Sequence, residues 1–317
     1  MGKSAPPSRR ALCIAVTYAG DRTRWLPDTA TDVNNIASLL LANEYAVTVM
    51  CDAPSLVREP FCIRPTAFKI REELRLLTQW LNREPGRQGW FHYSGHGWQA
   101  PNDDGNESDG LDELLVPCDW RRSGYISDDE LSALVATLRP EAELMVVMDC
   151  CHSGTMLDLP FTTKPSGAVV ASNAPCFPAP RDSASDADGQ SALVFLLSGC
   201  RDDDLSLNVF DVRGDARWSG AATTALLQCF RPGDTPHLLL CKMRSFLKSH
   251  GFTQQPQLSC SHPFDRPWSF LSSGGSVNAW VERLKFIGAS TCKCLDTDVR
   301  SDGGLAGKGC GRGGGGG

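Results

Sequence analysis

Leu144-Met145-Val146-Val147-Met148-Asp149-Cys150-Cys151-His152-Ser153-Gly154 is the stretch that decides the fold of this chain. An apolar run ends abruptly in an acid, two thiols, a histidine and a glycine. That is the composition of a buried strand followed by a turn. A second segment repeats the plan: Trp90-Phe91-His92-Tyr93-Ser94-Gly95-His96-Gly97. Strands buried on both faces belong to parallel sheets, and there chemistry collects beyond the carboxyl ends. A cysteine leaves one strand and a histidine the other, which is the material for a nucleophilic Cys–His pair.

Outward from these two strands the chain alternates. Ala11–Tyr18, Tyr45–Cys51, Gln88–Ser94 and Glu143–Cys150 read as strands. Between them, Thr31–Asn43, Pro65–Asn82 and Ser127–Leu138 carry apolar residues at helical spacing. The first helix is expected to bury Val33, Ile36, Ala37, Leu40 and Leu41. The second is expected to bury Phe68, Ile70, Leu74, Leu77 and Leu81. Ser127 with Glu130 three residues on is a capping-box pattern. Further strands are expected at Gly167–Asn173, Ser191–Gly199 and Gln257–Ser261, with helices at Gly220–Phe230 and Thr235–His250. Pro175–Gln190 reads as an exposed loop and Ser301–Gly317 as a disordered glycine-rich tail. The alternation predicts an α/β domain with a mostly parallel sheet of about six strands flanked by helices.

Composition narrows the class. The chain has 317 residues, a formal net charge of −6 and 41% hydrophobic residues. A core is available, and the acidic balance argues against nucleic-acid binding. No apolar run is long enough to span a membrane, and Met1–Arg10 lacks the apolar core of a secretory signal. Pro6 stands where a myristoylation signal needs Ser or Thr. The expected setting is the cytoplasm, with no membrane anchor. The 14 cysteines are scattered through apolar elements, which predicts free thiols rather than a disulfide framework. Cys292, Cys294 and Cys310 lack the paired spacing of a structural zinc site.

Two thiols compete for the role of nucleophile. Cys150 and Cys151 point opposite ways along an extended chain. The residues after them are small enough for a substrate backbone to approach, and turn N–H groups there suit an oxyanion. His96, framed by Gly95 and Gly97, is the exposed candidate base. His92 reads as a core histidine, and His152 points away from its neighbour if the backbone is extended.

In this order the motifs resemble those of the metacaspases, cysteine peptidases related to the caspases. Tyr93-Ser94-Gly95-His96-Gly97 is similar to the family's histidine motif and Asp149-Cys150-Cys151-His152-Ser153-Gly154 to its cysteine motif. The histidine lies roughly fifty residues before the cysteine, as in the caspases. The likeness continues through Asp109–Glu113, Ile126–Leu131, Ser198–Asp203 and Gln255–Ser259, and so spans about Ala11 to Phe270. It implies a caspase-like three-layer sandwich over residues 11–285. A large-subunit-like part covers 11–174, a loop 175–190 and a small-subunit-like part 191–285. Residues 1–10 and 286–317 are expected to be flexible. The layout resembles type I without that type's long N-terminal segment.

The resemblance also implies roles. Cys151 is the nucleophile and His96 its partner. Asp32, Ser94 and Asp149 match positions that line the pocket for the P1 side chain. Pro27-Asp28-Thr29-Ala30-Thr31, however, replaces the usual Gly-Cys-containing phrase before Asp32. An acidic pocket selects Arg or Lys by charge and hydrogen bonding, in contrast to the Asp-selective caspases. Asp112, Asp128, Asp129 and Asp158 match the family's calcium ligands, and oxygen-only clusters suit Ca2+. Without the resemblance, Asp128 and Asp129 read equally well as acids in a helix's first turn. The acidic run Asp103–Glu113 has neither the glycine position nor the flanking helices of an EF-hand.

The expectation is thus a calcium-dependent cysteine endopeptidase, a monomeric zymogen acting on protein or peptide substrates after Arg or Lys. Self-cleavage is expected at Lys164 or Arg181, between the two halves. Its rivals are a silent scaffold on the same fold and a calcium-independent, paracaspase-like protease.

Overall fold

A computed structural model of the chain describes residues 8–59, 61–102, 110–164, 166–171, 191–199, 220–231, 234–264 and 270–271. The first half runs β1 (Arg9–Ala15), α1 (Asp28–Ala42), β2 (Ala46–Cys51), β3 (Cys62–Ile63), α2 (Ala67–Leu81) and β4 (Gln88–Ser94). A small excursion follows: β5 (Gly97–Pro101), β6 (Leu111–Leu115), α3 (Trp120–Ser123), β7 (Ile126–Ser127) and α4 (Asp128–Val135). The chain returns through β8 (Glu143–Asp149), β9 (Phe161–Thr163), β10 (Val169–Ala171) and β11 (Leu193–Ser198). It closes with α5 (Ala221–Cys229), α6 (Pro236–Ser249) and β12 (Gln257–Cys260).

Among the described residues the main sheet has nine strands, in the order β10-β9-β12-β11-β8-β4-β1-β2-β3. The run from β3 to β11 is parallel; β12, β9 and β10 add on antiparallel. β10 lies inside the strand expected at Gly167–Asn173; the expected count of about six falls short because β3 and β9 have only two and three residues. Segments that short carry no readable hydrophobic period. The excursion forms a separate antiparallel sheet, β5-β6-β7, which the sequence reading did not anticipate.

Alternation along the strands sorts the side chains into two cores. Leu12, Ile14, Phe91, Tyr93, Val146, Met148 and Cys150 join the cluster with Ile70, Leu74 and Leu77 of α2 and Leu131 and Val135 of α4. The opposite face, including His92, Ser94 and Asp149, meets α1 and α5. This is the three-layer arrangement. Two side chains expected inside are outside: Leu41 is 49% and Phe68 69% exposed. Phe68 lies about 200° around the helix from Ile70, at roughly 100° per residue, so it falls on the far face.

Helix starts follow local chemistry. The hydroxyls of Thr66, Ser127 and Thr235 accept the N–H of Lys69, Glu130 and Leu238, capping α2, α4 and α6. Pro236 then occupies the first turn of α6, where no N–H is needed.

Candidate active site

β4 and β8 run side by side and in parallel, with Ser94 paired to Asp149 at their carboxyl ends. Two residues further on stand His96 and Cys151. The chain leaves β1 to one side for β2 and returns on the other for β4, so this end of the sheet is also a topological switch point. Cys150 is buried in the core and Cys151 is exposed, which separates the two thiols that extended-chain geometry left open. The turn after them is not extended: His152 has φ 51° and is buried. The Ser153 hydroxyl closes the turn by donating to the Cys150 carbonyl at 3.0 Å.

His96 is held on three sides. Its ring lies against Tyr18, with centroids 4.7 Å apart, and its N–H donates to the Tyr18 hydroxyl at 3.0 Å. Its Nε2 is 3.1 Å from the carbonyl oxygen of Arg24. A carbonyl only accepts, so Nε2 carries the hydrogen and Nδ1 is the basic nitrogen. Burial pushes the imidazole below its ordinary pKa, so His96 is neutral at pH 7. The packing behind exposed Cys151, and then the charge of Asp149, push its thiol up. Both shifts favour the neutral forms, imidazole at His96 and thiol at Cys151.

Beside them lies a buried acidic pair. Asp32, on α1, accepts the Ser94 hydroxyl at 2.8 Å. Asp149 accepts the N–H of Thr223 at 2.7 Å through Oδ2. Thr223 lies in the first turn of α5, whose unpaired N–H groups and dipole favour an anion. Its N-cap, Gly220, backs on Asp32: a Cβ there would stand 3.0 Å from Asp32 Oδ1. Burial lifts the Asp149 carboxyl to about 7, against the α5 hydrogen bonds that pull it down. Burial and the neighbouring Asp149 raise Asp32 well above the carboxylate range. Asp149 Oδ1 is buried and has no hydrogen-bond partner among the described residues. The structure thus gathers Asp32, Ser94 and Asp149 in one place. Thr223 and Gly220 were not legible in advance, since the helix that carries them lies far along the chain.

A second acidic cluster sits on the small sheet. Oxygens of Asp112, Asp128 and Asp129 lie within 4.8 Å of one another. Asp112 is on β6, and the other two open α4 directly after β7, the strand that pairs with β6. Burial raises the Asp128 carboxyl, and the charge of Asp112 adds to this. Asp158, the fourth expected ligand, is not part of this close-set trio. It is buried at φ 44° and takes the Ser132 hydroxyl at 3.4 Å, one turn further along α4. The three remaining carboxylates are a donor set that fits a hard dication.

Glu113, which the sequence reading passed over, links this cluster to the nucleophile loop. Its N–H donates to Asp128 at 3.0 Å, and its Oε2 takes the Thr155 hydroxyl at 2.8 Å. His92 is a core histidine, as expected: it is fully buried, bonded to Thr223 Oγ1 at 3.1 Å, and burial lowers it to about 3. Trp98 packs against the core on β5. Lys164 is exposed, but in a hairpin turn rather than an open loop. Its N–H and carbonyl bond to Ala168 and Gly167, and Arg244 also donates to the carbonyl at 2.9 Å. Arg181, the 175–190 loop, Cys292, Cys294, Cys310 and the glycine-rich tail lie outside the described residues. The nine described cysteines are free. Among the described residues, no helix is long and apolar enough to cross a membrane.

Comparison with known proteins agrees with this geometry. A family profile described as "Metacaspase, peptidase C14 domain" matches residues 9–160. Metacaspase-1A of Aspergillus clavatus is 32% identical over 295 residues, covering 81% of this chain and 67% of that protein. Metacaspase-2 of Trypanosoma brucei brucei is 33% identical over 286 residues, covering 86% and 79%. A crystal structure of a Geobacter sulfurreducens protein shares the fold, with a TM-score of 0.54 at 21% identity, covering 84% of this chain and 99% of that one.

Proposed function

The chain belongs to the metacaspase family of cysteine peptidases, and on that premise we propose that it is a calcium-dependent endopeptidase cutting after Arg or Lys. One observation carries the reading. Two buried carboxyls, Asp32 and Asp149, flank the strand end that presents Cys151, and one of their oxygens lacks a partner among the described residues. Such a pocket repels an acidic P1 side chain and is completed by a cationic one.

In this reading Cys151 Sγ attacks the scissile carbonyl carbon while His96 Nδ1 takes the thiol proton. The same proton passes to the leaving amine as the C–N bond breaks, and water then hydrolyses the acyl-enzyme. The Arg24 carbonyl keeps His96 in the working tautomer and steadies the imidazolium that forms.

Asp112, Asp128 and Asp129 would hold calcium through carboxylate oxygens, the ion supplying positive charge that offsets their mutual repulsion. Glu113, bonded to both Asp128 and Thr155, would pass the ordering of this cluster to the loop that starts at Cys151. Self-cleavage at Arg181 or Lys164 belongs to the same reading. At Lys164 it requires the β9–β10 hairpin to open first, because the scissile carbonyl is already bonded.

Paired fluorogenic peptides ending in Arg and in Asp test the proposal, with calcium and with chelator, on wild type and Cys151→Ala. Calcium-dependent Arg cleavage that disappears in the variant is the expected result. Cleavage after Asp overturns the pocket, activity in chelator overturns the metal, and no cleavage at all favours a binding role.

A further inference from the structure

Gln254 lies in the loop between α6 and β12, just ahead of the Gln255-Pro256-Gln257 motif, and no part of the catalytic reading uses it. It is only 9% exposed, and its Oε1 is buried without a hydrogen-bond partner among the described residues. A buried amide oxygen left unpaired costs roughly 1–3 kcal/mol, so its persistence calls for a reason.

Its surroundings supply one. Gln254 Nε2 and Asp149 Oδ1 stand 2.9 and 3.3 Å from the point a Cβ on Gly199 would occupy. Gly199 directly follows β11 beside β8, and its N–H donates to the Met148 carbonyl at 2.8 Å. Its φ is one that any residue adopts, so the glycine is needed here for space and not for conformation. Ala222 Cβ is 3.2 Å from the same point, so a side chain there would be crowded, and the glycine lets the Gln254 amide and the Asp149 carboxyl, each with one unpartnered buried oxygen among the described residues, come close to the same stretch of backbone. Both lie on the side of the sheet that carries the acidic pocket.

We infer that Gln254 is a specificity-determining residue of the P1 pocket, whose amide oxygen accepts from the guanidinium of an arginine side chain bound to Asp149. The inference rests on the basic-P1 reading above and sharpens it to arginine over lysine. A guanidinium spreads its donors over a planar fork and can serve two acceptors set apart, whereas an ammonium presents one compact centre. A neutral amide suits the second position, because a third carboxylate beside Asp32 and Asp149 would add to the repulsion that already helps to raise Asp32.

The test compares otherwise identical fluorogenic peptides with Arg or Lys at P1, on wild type, Gln254→Met and Gln254→Asn. Methionine keeps the volume and removes the acceptor; asparagine keeps the amide and shortens its reach. Wild type is expected to prefer Arg. In Gln254→Met, kcat/KM for Arg falls about tenfold, mainly through KM, while that for Lys changes less than about twofold, as for a hydrogen bond to a charged group. Gln254→Asn should fall between. Equal losses on both substrates, or loss in kcat alone, would assign Gln254 a structural role and overturn the inference. An unchanged Arg-to-Lys ratio overturns it too, while leaving the basic-P1 reading intact. If wild type cleaves neither substrate, that reading fails and takes this inference with it. Melting temperatures of both variants identify any that do not fold, and the remaining one then decides.

Discussion

The backbone of Gly97 packs directly against the carbonyl oxygen of Cys151, so closely that a Cβ at position 97 would collide with it. The glycine that closes the histidine motif therefore sets the distance between the two strand ends that carry the proposed base and nucleophile. Gly97→Ala must push against backbone, which cannot rotate away. We expect a fall in kcat of at least about a hundredfold with Cys151 displaced, and a stability loss of about 1–3 kcal/mol, typical of overpacking. Steady-state kinetics beside a melting curve checks this; wild-type kcat in a folded variant contradicts it.

The buried Asp149 gives the fold a pH dependence of definite sign. Its carboxyl is raised to about 7 in the folded chain, above its value when unfolded. Folded protein thus holds a proton that unfolded protein has released, and stability falls as pH rises from the ordinary carboxylate range to about 7. Asp32, raised in the same way, adds to the trend. Asp149→Asn removes the first contribution. In calcium-free protein the variant should gain stability relative to wild type as pH rises from 4 to 8, by on the order of a few kcal/mol. Denaturant titrations at several pH values would show it, and a pH-independent difference would argue against it.

Glu113 joins the acidic trio to the nucleophile loop through Asp128 and Thr155. Glu113→Gln retains the shape but replaces one carboxylate oxygen with an amide donor. The expected result is a weaker response to calcium, with half-activation at about tenfold higher concentration and calcium binding to the trio still detectable by calorimetry. A variant whose activation curve overlays wild type would remove Glu113 from the coupling.

The loop that presents the Arg24 carbonyl to His96 is clamped from outside. Trp120 lies beneath the guanidinium groups of Arg24 and Arg121, each 5.1 Å from its ring, and Asp21 accepts from both arginines at 3.1 and 2.9 Å. Trp120→Ala loosens that clamp without touching the proposed pair, His96 and Cys151. Its effect should fall on kcat, by about tenfold, with KM nearly unchanged and the His96 limb of the pH profile shifted. A loss confined to KM would assign Trp120 to substrate binding instead.

Much of this was readable along the chain. β4 is bounded as its apolar run predicts, and β8 ends one residue short of the expected Cys150. The capped start of α4 was legible from Ser127 and Glu130 because capping is a matter of three residues. The motifs around His96 and Cys151 were legible for the same reason, and the resemblance they carry named the family. The short strands β3, β5, β7 and β9 were not legible, since they exist by pairing with neighbours rather than by their own pattern, whereas β10 falls inside the strand expected at Gly167–Asn173.

What the sequence determined by itself was local or periodic: the alternation of strands and helices, the motifs that carry the candidate residues, and the free thiols among the described cysteines. Tertiary structure decided which of those residues meet. It left Cys151 exposed, the thiol that the resemblance had already singled out, and sent Cys150 into the core under α2 and α4. It brought Asp32 and Asp149 together 117 positions apart, and set α5 and Gln254 around them. It drew Asp112, Asp128 and Asp129 together and set Asp158, from the segment between β8 and β9, against Ser132 one turn along α4. The physical reason is that burial and charge coupling depend on distances through space, and a linear order of residues fixes those only where the backbone is short.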